Sequence, residues 1–176
     1  MKKYIALFRG INVGGKHRLP MKGLVPLLQE LGYQNIHTYI QSGNVVFESD
    51  GEPDQFPDQI SRIVESQFGF APQILLLTLD EFEDAINKNP YPQAESQPKT
   101  LHLGFMANKP KAPRLEDLEH LKSPSESFQL KGNVFYLYAP DGIGRSKLAA
   151  SSERLLGVPM TDRNWNTVMN LYELTR

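Results

Sequence analysis

One order of elements runs through this chain twice, and that repetition limits the possible folds more than any single residue does. In the first pass, residues 4–8 are an almost unbroken apolar run that reads as a buried strand. A helix is predicted from Pro20, with Met21, Leu24, Val25, Leu28 and Leu31 at helical spacing and Gly32 where a terminator belongs. Pro26 inside that stretch signals a kink or a later start. Residues 36–40 and 45–47 read as two strands joined through Gly43-Asn44, a pair suited to a tight turn. A helix over 57–68, striped by Ile60, Ile63, Val64 and Phe68 and closed by Gly69, precedes a strand over 74–77. Thr78-Leu79-Asp80-Glu81 has the capping-box pattern and starts a short helix reaching about residue 88.

The second pass repeats this order. It has a strand over 101–106, a helix over 114–121, hairpin strands over 128–130 and 134–138, and a helix over 146–156 closed by Gly157. Gly132-Asn133-Val134 takes the place that Gly43-Asn44-Val45 has in the first. Residues 89–99, with three prolines among mostly polar neighbours, mark the internal boundary. The chain therefore reads as one domain over 1–176, with halves at about 1–88 and 100–157 and a C-terminal helix at about 164–175.

The expected fold class is α+β: a tandem duplication of a ferredoxin-like βαββα(β) unit with a mainly antiparallel sheet. A right-handed crossover makes the first two strands of such a unit parallel. The loop over 9–18 and the hairpin over 41–44 are therefore expected to be spatial neighbours. The run Ile74-Leu75-Leu76-Leu77 falls at a sheet edge yet is apolar on both faces, so the halves are expected to pack closely or to share a sheet.

Hydrophobic residues make up 40% and charged residues 22% of the chain, the profile of a soluble globular protein. Absence of cysteine excludes disulfides, thiolate catalysis and cysteine-ligated metals. The apolar stretch after Tyr4 is broken by Arg9, which resembles neither a secretory signal nor a membrane span, so a cytoplasmic protein with no membrane partner is expected. A net charge of -1 makes nucleic acid a less expected partner. The charge is unevenly spread: Lys2, Lys3, Arg9, Lys16, Arg18 and Lys22 all precede the first acid, Glu30, while acids gather at 48–58 and 80–84.

Gly10 to Lys16 fits the P-loop spacing G-x-x-x-x-G-K, but His17 stands where that motif needs Ser or Thr. The helix begins only at Pro20 and the predicted sheet is antiparallel, which does not suit a nucleotide triphosphatase. A looser anion site fits better, built from Arg9, Asn12, Lys16 and the amides of Gly14 and Gly15. Gln41, Ser42 and Asn44 on the neighbouring hairpin are candidates to join it. Gly142 to Lys147 opens a helix with glycines and the cations Arg145 and Lys147, a second candidate, and Arg163 is a further possible contributor at the start of the last helix. Trp165, Val168, Met169 and Tyr172 form one helical stripe, so Trp165 is read as core. His17, His37, His102 and His120 have no metal-ligand spacing, and no catalytic triad signature is present.

Taken together, four segments resemble the domain-of-unknown-function family numbered 1697: residues 7–16 (LFRGINVGGK), 39–47 (YIQSGNVVF), 144–148 (GRSKL) and 163–167 (RNWNT). The resemblance implies a bacterial-type cytoplasmic α+β protein with an internal duplication, and it carries no activity, cofactor or catalytic residue with it. The residues themselves point to a small anionic or phosphate-bearing ligand at the glycine-containing loops, with the cofactor and the oligomeric state left unspecified. If chemistry accompanies binding, Ser42 is the candidate nucleophile or proton carrier, without an identified general base. The alternative is a nonenzymatic module binding nucleic acid or protein, with Tyr4, Phe8, Phe135 and Tyr138 as aromatics for an open sheet face.

Overall fold

The opening apolar run is buried on both sides. In the computed structural model, which describes residues 1–176, it forms β1 (Lys2–Arg9), where Tyr4, Ile5, Ala6, Leu7 and Phe8 are all buried. β1 pairs antiparallel with β3 (Asn44–Ser49) on one side and with β4 (Gln73–Thr78) on the other. β2 (Gln34–Tyr39) completes a four-stranded sheet of order β2-β3-β1-β4. α1 (Met21–Glu30) and α2 (Phe56–Phe68) cover one face, where Leu24, Leu28, Ile60 and Val64 pack with Tyr4, Ala6, Phe8, Val45 and Phe47 in one core. Pro26 lies inside α1 at an exposed position and does not delay the helix start. The capping box of α3 (Leu79–Asn87) forms as predicted: Thr78 N donates to Glu81 Oε2 (2.9 Å), and Glu81 N to Thr78 Oγ1 (3.1 Å).

The second half repeats this topology. β5 (Leu101–Met106) lies between β7 (Val134–Tyr138) and β8 (Met160–Asn164), with β6 (Ser127–Lys131) at the edge, in the order β6-β7-β5-β8. α4 (Leu115–Leu121) and α5 (Lys147–Leu156) pack on one face through Leu118, Leu148, Leu155 and Leu156. α6 (Trp165–Leu174) follows β8 as α3 follows β4. The fold is α+β in two similar halves. Each half has its own sheet, which rules out the shared-sheet branch of the expectation that the halves pack closely or share a sheet.

Two expectations need correction. Residues 160–164 form a strand, so Arg163 lies on β8 opposite Leu103 rather than at the start of a helix. The sequence Met-Thr-Asp-Arg-Asn shows no apolar alternation because β8 is an edge strand paired only with β5. Helix α6 begins at Trp165, which is buried as expected of a core residue, and Asn164 Oδ1 accepts the Thr167 amide (2.9 Å) as its cap. The Gly-Asn-Val tripeptides also do not superpose. The first hairpin turns through residues 40–43, with Tyr39 opposite Asn44, whereas the second turns through Gly132-Asn133, with Lys131 opposite Val134. Leu7 pairs with Asn44 as Phe105 pairs with Val134, which aligns Gly43 with Asn133. The topology is duplicated, and the tripeptide match is one residue out of register.

The chain forms two compact units, Met1–Asp84 with Asn170–Arg176, and Ala85–Met169. Within the first, Lys3 Nζ donates to the Thr175 carbonyl (2.6 Å). Within the second, Tyr136 Oη donates to the Ala85 carbonyl (2.6 Å), and Tyr91 stacks on Tyr138 at 5.9 Å, so the proline-marked boundary is packed rather than loose. No helix is long and apolar enough to cross a membrane.

Candidate functional site

The chain leaves β1 at Arg9 and turns at Gly10 (φ 70°). It then folds into a small hairpin of its own: Val13 and Lys16 form an antiparallel bridge across Gly14 (φ 60°) and Gly15 (φ 73°). A two-residue turn with positive φ at both central positions needs such a pair, because any Cβ there meets backbone strain. Lys16 N donates to Val13 O (3.1 Å) and Asn12 N to His17 O (3.0 Å). The tip stands in solvent, with Val13 67% exposed and Lys16, His17 and Arg18 also exposed. This is not a P-loop, since the glycines make a hairpin tip and α1 starts only at Met21.

Asn12 is the clasp of the loop. Its Nδ2 donates to Leu19 O (2.9 Å) and to Gln41 O (2.7 Å), and its Oδ1 accepts from Leu19 N (2.8 Å). The contact to Gln41, with Phe8 N donating to Gly43 O (2.8 Å), puts the β1–α1 loop beside the β2–β3 hairpin, the juxtaposition that crossover handedness predicts. Gln41 also reaches with Oε1 to the Met21 amide (3.4 Å) at the start of α1, whose preceding Pro20 supplies no side-chain cap.

Asn44 is the first residue of β3 and fully buried; its Nδ2 donates to Tyr39 O and to Ser42 Oγ, both at 2.9 Å. It builds the hairpin from inside, leaving Gln41 and Ser42 exposed above it. Backbone strain collects at these two segments. Asn12 (φ 54°), His17 (φ 51°) and Ile40 (φ 49°) are three of the chain's four non-glycine residues with positive φ, and Ile40, being β-branched, is the least suited to it.

His17 and Phe70 carry a feature that sequence reasoning missed. The imidazole stacks on the Phe70 ring at 4.7 Å and 13°, and its Nδ1 lies 3.2 Å from Gly10 O. His17 gave only the signal of a misfit in the P-loop pattern, and Phe70 gave none, because its partner is distant in sequence.

The remaining predicted residues lie in the second unit. Arg145 and Lys147 line a cleft of about 520 Å³ together with Ser123, Glu126, Asp141 and Ser146. Glu126 is only 6% exposed; it accepts from Ser123 N (2.8 Å) and from Ser146 Oγ (2.5 Å), while Ser146 Oγ accepts from Ala149 N (3.0 Å). The N-terminus of α5 thus already has a serine cap backed by an internal carboxylate, which weakens it as an anion site. Arg163 is half-buried on the sheet face opposite Met160 and the helices; burial pulls its pKa down to about 10, against the opposing pull of Asp162.

The family described as "Protein of unknown function (DUF1697)" has a model that matches residues 1–136. The chain belongs to the DUF1697 family. The DUF1697 match takes in Arg9 to Arg18 and Gln41 to Asn44, whereas Arg145, Lys147 and Arg163 lie past its end. Comparison with curated proteins gives no match. Among solved structures, the conserved bacterial protein SP0830 from Streptococcus pneumoniae is similar at 25% identity with a TM-score of 0.72, over 99% of each chain.

Proposed function

We propose that this protein binds a small anionic, phosphate-bearing ligand at the β1–α1 loop, beside the β2–β3 hairpin. The observation that carries this reading is the strained loop itself: Asn12 holds residues 10–18 in an unfavourable backbone path that displays Lys16, Arg18 and the Gly14-Gly15 turn to solvent. Strained backbone persists where surrounding contacts over-determine it, and it concentrates at ligand clamps. Exposed Lys22 adds to the positive potential at this edge, and no acid precedes Glu30 in the sequence. A cysteine-free chain is compatible with a cytoplasmic setting. The alternative, nucleic acid bound across an open sheet, has less support because Tyr4, Phe8 and Phe135 are buried in the cores.

Thermal melts with inorganic phosphate, pyrophosphate and ribose 5-phosphate test the reading. A binding anion raises stability by about 2.7 kcal/mol at a hundredfold excess over Kd. Lys16→Ala and Arg18→Ala are each expected to weaken it about tenfold without lowering the ligand-free melting temperature, since both side chains are exposed. If no anion protects, or both variants titrate like the parent, the reading fails. A loss seen only in Arg145→Ala moves the site to the α5 cleft.

A further inference from the structure

The outward face of the His17 ring has no role in the fold described above. One face of the imidazole lies parallel on Phe70, which is itself partly buried against the first core, while His17 remains exposed. The ring is held in place by that stack, by its Nδ1 approach to Gly10 O, and by the Asn12 N to His17 O bond that closes the small hairpin. A glycine or asparagine would meet the left-handed backbone at this position as well as histidine does, so the turn alone does not call for an aromatic ring. Lys16 and Arg18 flank it in sequence, and both are exposed.

We propose that the ligand of this loop is a mononucleotide, with its planar base stacked on the free face of His17 and its phosphate met by Lys16, Arg18 and the Gly14-Gly15 turn. This rests on the reading of the loop as a phosphate site and adds the ring to it. Base–aromatic stacking is tolerant of base identity because every base offers a π-face. A free nucleotide suits the site better than a nucleic-acid strand. Strand binding draws on a track of cations along the backbone, and this chain has a net charge of -1 with a short basic edge.

The test is a calorimetric titration of AMP, GMP, CMP, UMP and ribose 5-phosphate into the full chain and into His17→Asn, which keeps tolerance of the left-handed backbone and removes the ring. At least one nucleotide is expected to bind about tenfold more tightly than ribose 5-phosphate. His17→Asn is expected to erase that advantage while leaving the affinity for ribose 5-phosphate unchanged. Ring-current shifts of the His17 proton resonances on adding that nucleotide are expected in parallel. Equal affinity for nucleotides and ribose 5-phosphate in the parent overturns the mononucleotide while leaving the phosphate site standing. Failure of all five probes to bind overturns the mononucleotide, and if phosphate and pyrophosphate also fail to protect, the phosphate site falls with it. An oligothymidylate that binds more tightly than every nucleotide overturns the free ligand in favour of a strand.

Discussion

Gly43 meets two constraints at once, and they separate it from the other turn glycines. Its φ is +92°, and a Cβ built on it would sit 2.4 Å from Phe8 Cβ and 2.7 Å from Ile11 Cδ1. Neither neighbour has room to yield, since Phe8 and Ile11 are both buried beside the bond from Phe8 N to Gly43 O. Gly14, at φ +60°, has nothing within 4 Å of the same added atom. Gly14→Ala is therefore expected to cost about 1–2 kcal/mol, the left-handed penalty alone. Gly43→Ala adds overpacking, for a total of about 3 kcal/mol or more. Urea denaturation of the two variants measures the difference; equal midpoints would remove the close approach as its cause. Gly43 was legible as a turn residue from its Asn neighbour and the flanking strands. Its packing against Phe8 was not, because that contact exists only once β3 has paired with β1.

Helix ends were the most legible elements, since their signals are local. The capping box at Thr78 and Glu81 forms, and Gly69 (φ 81°) and Gly157 (φ 78°) end α2 and α5 in the left-handed conformation. Less legible were elements whose identity depends on a partner strand: β8 on β5, and the length of the first hairpin on where Asn44 is buried. The start of α5 combines both kinds. The helix start at residue 146 was readable, but Glu126, which backs the Ser146 cap, comes from a turn twenty residues earlier. Ser146→Ala is expected to cost about 1–3 kcal/mol, because it removes the cap and deprives a buried carboxylate of a donor. Chemical denaturation reads this directly. A loss below about 0.5 kcal/mol would mean that the carboxylate finds a replacement donor.

Across the whole molecule, the duplicated order of elements gave the fold class and the neighbourhood of the two candidate loops, because crossover handedness follows from chirality rather than from sequence detail. The return of residues 170–176 to the first unit was not legible, since nothing local marks the end of α6 as part of it. Removing residues 170–176 takes away Leu171 and Thr175, both buried, and the acceptor of Lys3. The truncated chain is expected to lose about 2–5 kcal/mol, with faster hydrogen exchange in β1 and little change in β5 and β7. Uniform loss of protection in both sheets, or none in β1, would contradict the assignment of the C-terminal segment to the first unit. The interrupted unit also sets an order of events on the ribosome. Ala85–Met169 emerges as one uninterrupted stretch, whereas the first unit is complete only when Asn170–Arg176, translated after all of the second unit, join Met1–Asp84. The half that is translated first is thus the half that is finished last.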